Sequence, residues 1–294
     1  MVFLFIIFAN TIGDAWQDLN NFLYTKEIKT SYIFLRITGD AKQKALGNGG
    51  TGYLTGISAT SINPAGLAFA DGLGISSTIN FHFLGINTGG FGLADSYKNH
   101  HFGINFRYLN SGKIEYRGDV PTVEPVDYYS ILAYAIDMCY AYRATSTGIG
   151  LSTRYIDEYI FGENEAHYVF NFGVVHSPVK NLTLGVCLEN IGFYRGTPAP
   201  LKLTAGLAYK FKNLAIIFDI YKSIDTYVRE SIGLEFIPNP YFVLRMGYKH
   251  NYDSERFSTG FGVSFKNFVL NYAFVPYFYN LGNAHTVSVD LLFK

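Results

Sequence analysis

Charge is scarce in this chain of 294 residues: only 16% are Asp, Glu, Lys or Arg, and the 23 basic and 23 acidic side chains cancel. A neutral chain has no electrostatic footprint for nucleic acid. Beyond the N-terminus no run approaches the roughly 18 apolar residues that a membrane helix requires. Cysteine is nearly absent: Cys139 and Cys187 are too few for a disulfide framework or a structural zinc site. They read as small strand residues that stay unbridged. Catalytic signatures are missing as well, with no G-x-S-x-G, no H-E-x-x-H and no phosphate loop. The seven histidines are scattered, so neither an enzyme, a metal site nor a cofactor is expected.

What the chain has instead is aromatic mass, with 24 Tyr and 26 Phe, and 49% hydrophobic residues overall. From Gly72 onward these alternate with small or polar residues. The stretch 130–142 shows it best. Leu132, Tyr134, Ile136, Met138, Tyr140 and Tyr142 fall on one face; Ala133, Ala135, Asp137, Cys139 and Ala141 fall on the other. In a transmembrane barrel the bulky face meets lipid and the small, polar face meets a lumen. About fourteen such segments follow one another, an even number as in single-chain bacterial barrels. The fold class predicted is therefore all-β, a closed antiparallel transmembrane β-barrel over 71–294.

The connections alternate in kind. A recurring apolar-Lys-Asn turn closes Tyr97-Lys98-Asn99, Val179-Lys180-Asn181, Phe211-Lys212-Asn213 and Phe265-Lys266-Asn267, while the links between are mostly longer and richer in Pro, Tyr and charge. Short turns on the periplasmic side and long loops outside are the asymmetry of outer-membrane barrels. The first hairpin, near Leu84-Gly85, is short on the outer side and breaks the rule.

Carried through every strand, the alternation places Arg107, Asp137, Arg154, Glu189, Asp219, Glu235, Arg245, Lys249 and Asp290 in the lumen. Two uses remain open: a polar path or socket for a plug, and charges that pair across a closed interior. Before the strands, residues 1–15 read as a signal peptide, an apolar run ending on Gly13-Asp14-Ala15, though without the usual Lys/Arg start. Residues 16–70 read as an arm and a plug. The plug stretch, 45–68, is too rich in glycine for a regular helix or strand. It carries Gly47, Gly49 and Gly50, then closes on Asn63-Pro64-Ala65-Gly66, where proline fixes the backbone and removes a donor.

The run FLRITGDAKQKALGNGG (34–50) followed by NPAGLA (63–68) resembles the N-terminal signature of the PorV/PorQ family of outer-membrane barrels, themselves similar to the FadL fatty-acid transporters. In FadL-like proteins an Asn-Pro-Ala motif belongs to a hatch inside the barrel, and Asn63-Pro64-Ala65 match it. Later segments, among them 171–192, 198–211 and 270–289, follow the family's order. The resemblance implies a bacterial outer-membrane protein surrounded by lipid. It implies two functions: a platform for secreted or surface proteins of the type IX kind, or transport of small hydrophobic molecules. The first is preferred at this point, and the aromatic outer loops 116–129 and 275–280 are its candidate contacts.

Overall fold

A computed structural model of the chain describes residues 29–37, 39–160, 162–192 and 198–293. The signal peptide and most of the arm expected ahead of the plug lie outside the described residues.

Alternation is the reason the strands form and also the reason they close. Each strand has one face that must leave water and one that must not, and a barrel satisfies both without an open edge. In chain order the strands are β1 (Leu73–Phe81), β2 (Asn87–Tyr97), β3 (His100–Asn110), β4 (Ile114–Tyr116), β5 (Asp127–Tyr129), β6 (Ile131–Ala144), β7 (Thr147–Ile160) and β8 (Glu163–Val179). They continue as β9 (Leu182–Ile191), β10 (Lys202–Phe211), β11 (Leu214–Ser223), β12 (Arg229–Asn239), β13 (Phe242–His250), β14 (Phe257–Phe265), β15 (Phe268–Tyr277) and β16 (Gly282–Phe293). All but β4 and β5 form one closed antiparallel barrel of fourteen strands, each paired with its neighbour in sequence, and β1 zips onto β16 from Leu73↔Phe293 to Phe81↔His285. The wall strands run from 9 to 17 residues, and about 9–11 tilted residues cross a hydrocarbon core.

The faces fall as the period dictates. Phe91, Leu93, Phe102, Ile104, Met138, Leu151, Phe170, Phe172, Val186 and Met246 stand exposed on the outside. Ala133, Ala135, Asp137, Cys139 and Ala141 are buried inside on β6. At one end, two-residue turns join the strands. The Lys-Asn pairs supply the left-handed backbone that matches strand twist, with Lys98, Asn181, Lys212 and Lys266 at φ of 56°, 79°, 51° and 52°.

At the opposite end the β1–β2 link is the short one expected near Leu84-Gly85, a tight turn, Phe83–Gly85, with Leu84 at φ 57°, and one departure from the sequence reading occurs. The β3–β6 loop contains the small hairpin β4–β5, which alternation over so few residues could not announce.

Inside the barrel lies the N-terminal segment. It is less irregular than its glycines suggest. A short helix, Ala41–Ala45, is capped by Asp40, whose carboxylate accepts from the amides of Lys42 and Gln43. Two 3-10 turns follow, Gly56–Ser61 and Pro64–Phe69, the second started by Asn63 as cap and Pro64 in the first turn. From Gly39 backwards the arm climbs toward the long-loop end. There the Ser31 amide donates to the Pro198 carbonyl, Arg36 pairs with Asp225, and the Tyr32 ring meets His167 edge-on.

Candidate functional site

The interior of the barrel is the candidate site, and its geometry begins with how the plug is held. Asn63 is fully buried; its side-chain oxygen accepts from the Ala65 amide at 3.1 Å, and its amide donates to the Thr51 carbonyl at 3.0 Å and toward the wall carbonyls of Val174 and Val186 at 3.4 and 3.5 Å. One side chain thus ties two plug turns to β8 and β9. Asp219 on β11 makes the second anchor. Its Oδ2 accepts from the amides of Gly50 and Thr51, each at 2.9 Å, and from the Thr51 hydroxyl at 2.7 Å. A turn rich in glycine leaves backbone N–H groups free for such a carboxylate, and a buried N–H needs an acceptor.

The wall receives the plug through glycines of its own. A Cβ at Gly150 would sit 2.2 Å from the Ala65 nitrogen, and one at Gly173 would sit 1.9 Å from the Asn63 oxygen. At Gly247 it would meet the Gly47 nitrogen at 2.1 Å. These wall glycines escaped the sequence reading. Their signal was present, since they recur at inward positions facing Gly47 and Pro64-Ala65, but partnership between distant segments has no local signature.

The charged residues assigned to the lumen gather into two networks. On the β3–β9 side, Arg154 Nε donates to Asp137 Oδ1 at 2.5 Å and its Nη1 to the Asn190 oxygen at 2.7 Å, while Arg107 reaches Asp137 at 3.4 Å. Glu189 pairs with Lys202 at 2.5 Å. On the β12–β16 side, Arg245 Nε donates to Glu235 at 2.7 Å and its Nη1 to Asn271 at 3.0 Å; Asn271 then donates to Asp290, which also holds Lys42 of the plug at 2.7 Å. Tyr53 of the plug donates to Glu235 at 2.5 Å. Lys249 pairs with Glu255 at 2.7 Å. Both networks pair charges between adjacent wall strands, with Asp137 opposite Arg154, Glu189 opposite Lys202 and Glu235 opposite Arg245, and the one on the β12–β16 side also grips the plug. Cys139 and Cys187 are buried and free.

Asn190 was missed by the sequence reading. It sits in a bulge where β8 and β9 slip register between Phe170 and Phe172, at φ 61°, so that Glu189 and Asn190 are both buried. Bulges re-aim side chains in this way. Its amide donates to the Pro200 carbonyl at 2.9 Å, joining the wall to the β9–β10 link.

Above the plug, between arm and wall, a cavity of about 230 Å³ remains. Leu35 and Ile37 of the arm and Ile62 of the plug give it an apolar side; Tyr221 and Tyr252 give it aromatic surface. Its charged lining is balanced, with Arg36, Lys202 and Arg229 against Asp219, Asp253 and Glu255. Tyr221 and Tyr252 share a hydrogen bond at 2.6 Å, and Arg229 lies 4.7 Å from the centre of the Tyr252 ring. Among the described residues no cluster of side chains suits a metal ion.

Neither a family model nor a curated protein sequence matches the chain. Solved structures do. The chain is similar to the toluene transporter TbuX of Ralstonia pickettii, with a TM-score of 0.68 and 12% identity over 88% of this chain and 100% of that one. It is similar to the monoaromatic hydrocarbon channel CymD, with a TM-score of 0.69 and 12% identity over 88% and 99%. A FadL homologue of Pseudomonas aeruginosa gives 0.61 and 11% over 88% and 99%. Identities this low speak for the fold alone: a FadL-like outer-membrane β-barrel.

Proposed function

We propose that this chain is an outer-membrane transporter for small, largely apolar molecules, with 39–70 acting as the hatch that keeps the barrel closed to ions and water-soluble solutes. The observation that carries the reading is the cavity between arm, plug and wall, lined by Leu35, Ile37, Ile62, Tyr221 and Tyr252. These side chains form one apolar and aromatic side of a chamber whose remaining lining is polar and charged, and an enclosed concave space of this kind is where a small molecule is held. The structures similar in fold include proteins described as a toluene transporter and a monoaromatic hydrocarbon channel, which supports the same direction. The order of the two functions read from the sequence is therefore reversed. The likeness to PorV/PorQ adds no comparison of its own, whereas the FadL-like fold stands on several.

The protein-binding reading keeps one specific observation. The β4–β5 hairpin projects at the long-loop end with Val120 and Val123 exposed at 72% and 93%, beside Val126 and Tyr128. Apolar tips of that kind suit contact with another surface.

Transport is tested by initial uptake in cells with an intact outer leaflet. Expression of the chain should raise entry of an alkylbenzene several-fold and leave entry of a water-soluble sugar unchanged. Equal gains for both, or none for the alkylbenzene, would contradict the reading.

A further inference from the structure

A buried ammonium gives up hydration that only an acceptor can replace, so buried cations are found with partners. The rule holds through this interior with one exception among the described residues. Arg107 and Arg154 meet Asp137, Arg245 meets Glu235, Lys249 meets Glu255, and Lys222 donates to the Thr226 carbonyl. Lys44, on the short plug helix, is buried to 4% exposure and its amine makes no ion pair or hydrogen bond; the Glu255 carboxylate lines the same cavity and acts on it only from beyond pairing distance. It lines a cavity of about 90 Å³ with Arg36, His82, Lys249, Glu255 and Tyr277. Arg36, Ile37, Asn48 and Glu255 line this cavity and the larger chamber alike, so the two adjoin.

Around Lys44 the charges do not balance. Arg36 already holds Asp225, and Glu255 is taken by Lys249. One positive charge is left over, facing a space large enough for a carboxylate or an oxyanion.

We propose that Lys44 anchors a binding site for compact organic acids, the carboxylate entering the small cavity beside Lys44, Lys249 and His82 and the apolar body lying in the adjoining chamber against Ile37 and Tyr221. The site deepens the transport reading and rests on it for the chamber's role. The space favours a ring-sized body: cavities of about 90 and 230 Å³ each fall below the usual size of ligand pockets and reach its low end only together, which leaves too little volume for a long acyl chain.

Two further features agree. Burial, and then the charge of Lys249, pull the Lys44 amine down to about 7 against the smaller opposing pull of Glu255, so the empty site holds its proton weakly and an incoming anion restores it. Burial, and then Lys44 and Lys249, push the His82 ring down to about 3, which leaves it a neutral hydrogen-bonding wall rather than a competing cation.

Calorimetric titration of the full chain in nonionic detergent, with benzoate and inorganic phosphate as probes, tests the site. Benzoate should bind at pH 6, and its affinity should fall about tenfold for each pH unit above 7 as Lys44 loses its proton. Lys44→Met and Lys44→Gln should each weaken benzoate at least tenfold while melting no lower than the parent chain, since an unpartnered buried charge has been removed. Unchanged benzoate affinity in either variant would overturn the proposal, and so would phosphate binding as tightly as benzoate. A lower melting temperature in both variants would also overturn it, because Lys44 would then serve the fold. Benzoate binding without alkylbenzene uptake would sink the transport reading and leave this site standing; uptake without benzoate binding would do the reverse.

Discussion

Replacing Asp219 with Ala is expected to release the plug. The carboxylate is buried at 2% exposure and accepts three hydrogen bonds from Gly50 and Thr51. Each buried donor left without an acceptor costs about 1–3 kcal/mol, and two of the three are backbone amides that cannot turn away. For the two amides the loss amounts to about 2–6 kcal/mol of plug seating, less where water enters, and either outcome loosens the turn. The wall should survive, because β11 keeps its ladders with β10 and β12. Limited proteolysis should then cut the plug turns before the strands, and a purified variant should pass ions that the parent chain excludes. Asp219→Asn is the milder control: it keeps one acceptor oxygen and should retain part of the seating.

The second large effect is expected at Arg154. Its guanidinium joins Asp137, at 0% exposure, to Asn190 in the bulge. Arg154→Ala leaves Asp137 with Arg107 alone, at 3.4 Å, and breaking a buried pair by removing one partner costs about 3–5 kcal/mol. The melting temperature in detergent should fall accordingly. Removing the whole cluster in Arg107→Met/Asp137→Leu/Arg154→Met should recover most of the loss, since apolar replacements of similar volume avoid the desolvation of the ions and leave no buried charge unpaired. A triple variant no more stable than the single would mean that the cluster does more than neutralise itself.

Much of this architecture was legible because a membrane barrel imposes one simple rule on every strand. Leu132 through Tyr142 could be sorted into lipid and lumen faces by counting alone, and the recurring Lys-Asn turns marked one end of the barrel. The rule also put Asp137, Arg154, Asp219 and Arg245 inside, because a charge on the other face would stand in hydrocarbon. What counting could not supply was which charges meet on neighbouring strands and which hold the plug. That Asp219 meets the plug rather than an arginine, while Asp137 takes two arginines, depends on how the strands tilt and where the plug turns come to rest. Gly150, Gly173 and Gly247 were invisible as a seat for the same reason: a wall glycine has meaning only once the Ala65, Asn63 and Gly47 opposite it are in place. Asn190 was hidden differently, since a one-residue bulge changes the phase of a strand and alternation then assigns its neighbours to the wrong face. Lys44 lay just ahead of the stretch read for its glycines, and its importance comes from having no carboxylate left free to pair with it, which only the folded chain can show.

The central claim is that this barrel is closed by its own N-terminal plug and admits small apolar molecules without admitting ions. Recording conductance across a planar bilayer containing the purified chain, alongside Asp219→Ala, tests it most directly. The parent chain should be close to silent and the variant should open steps of ionic current. A parent chain that conducts ions as freely as the variant would contradict the account.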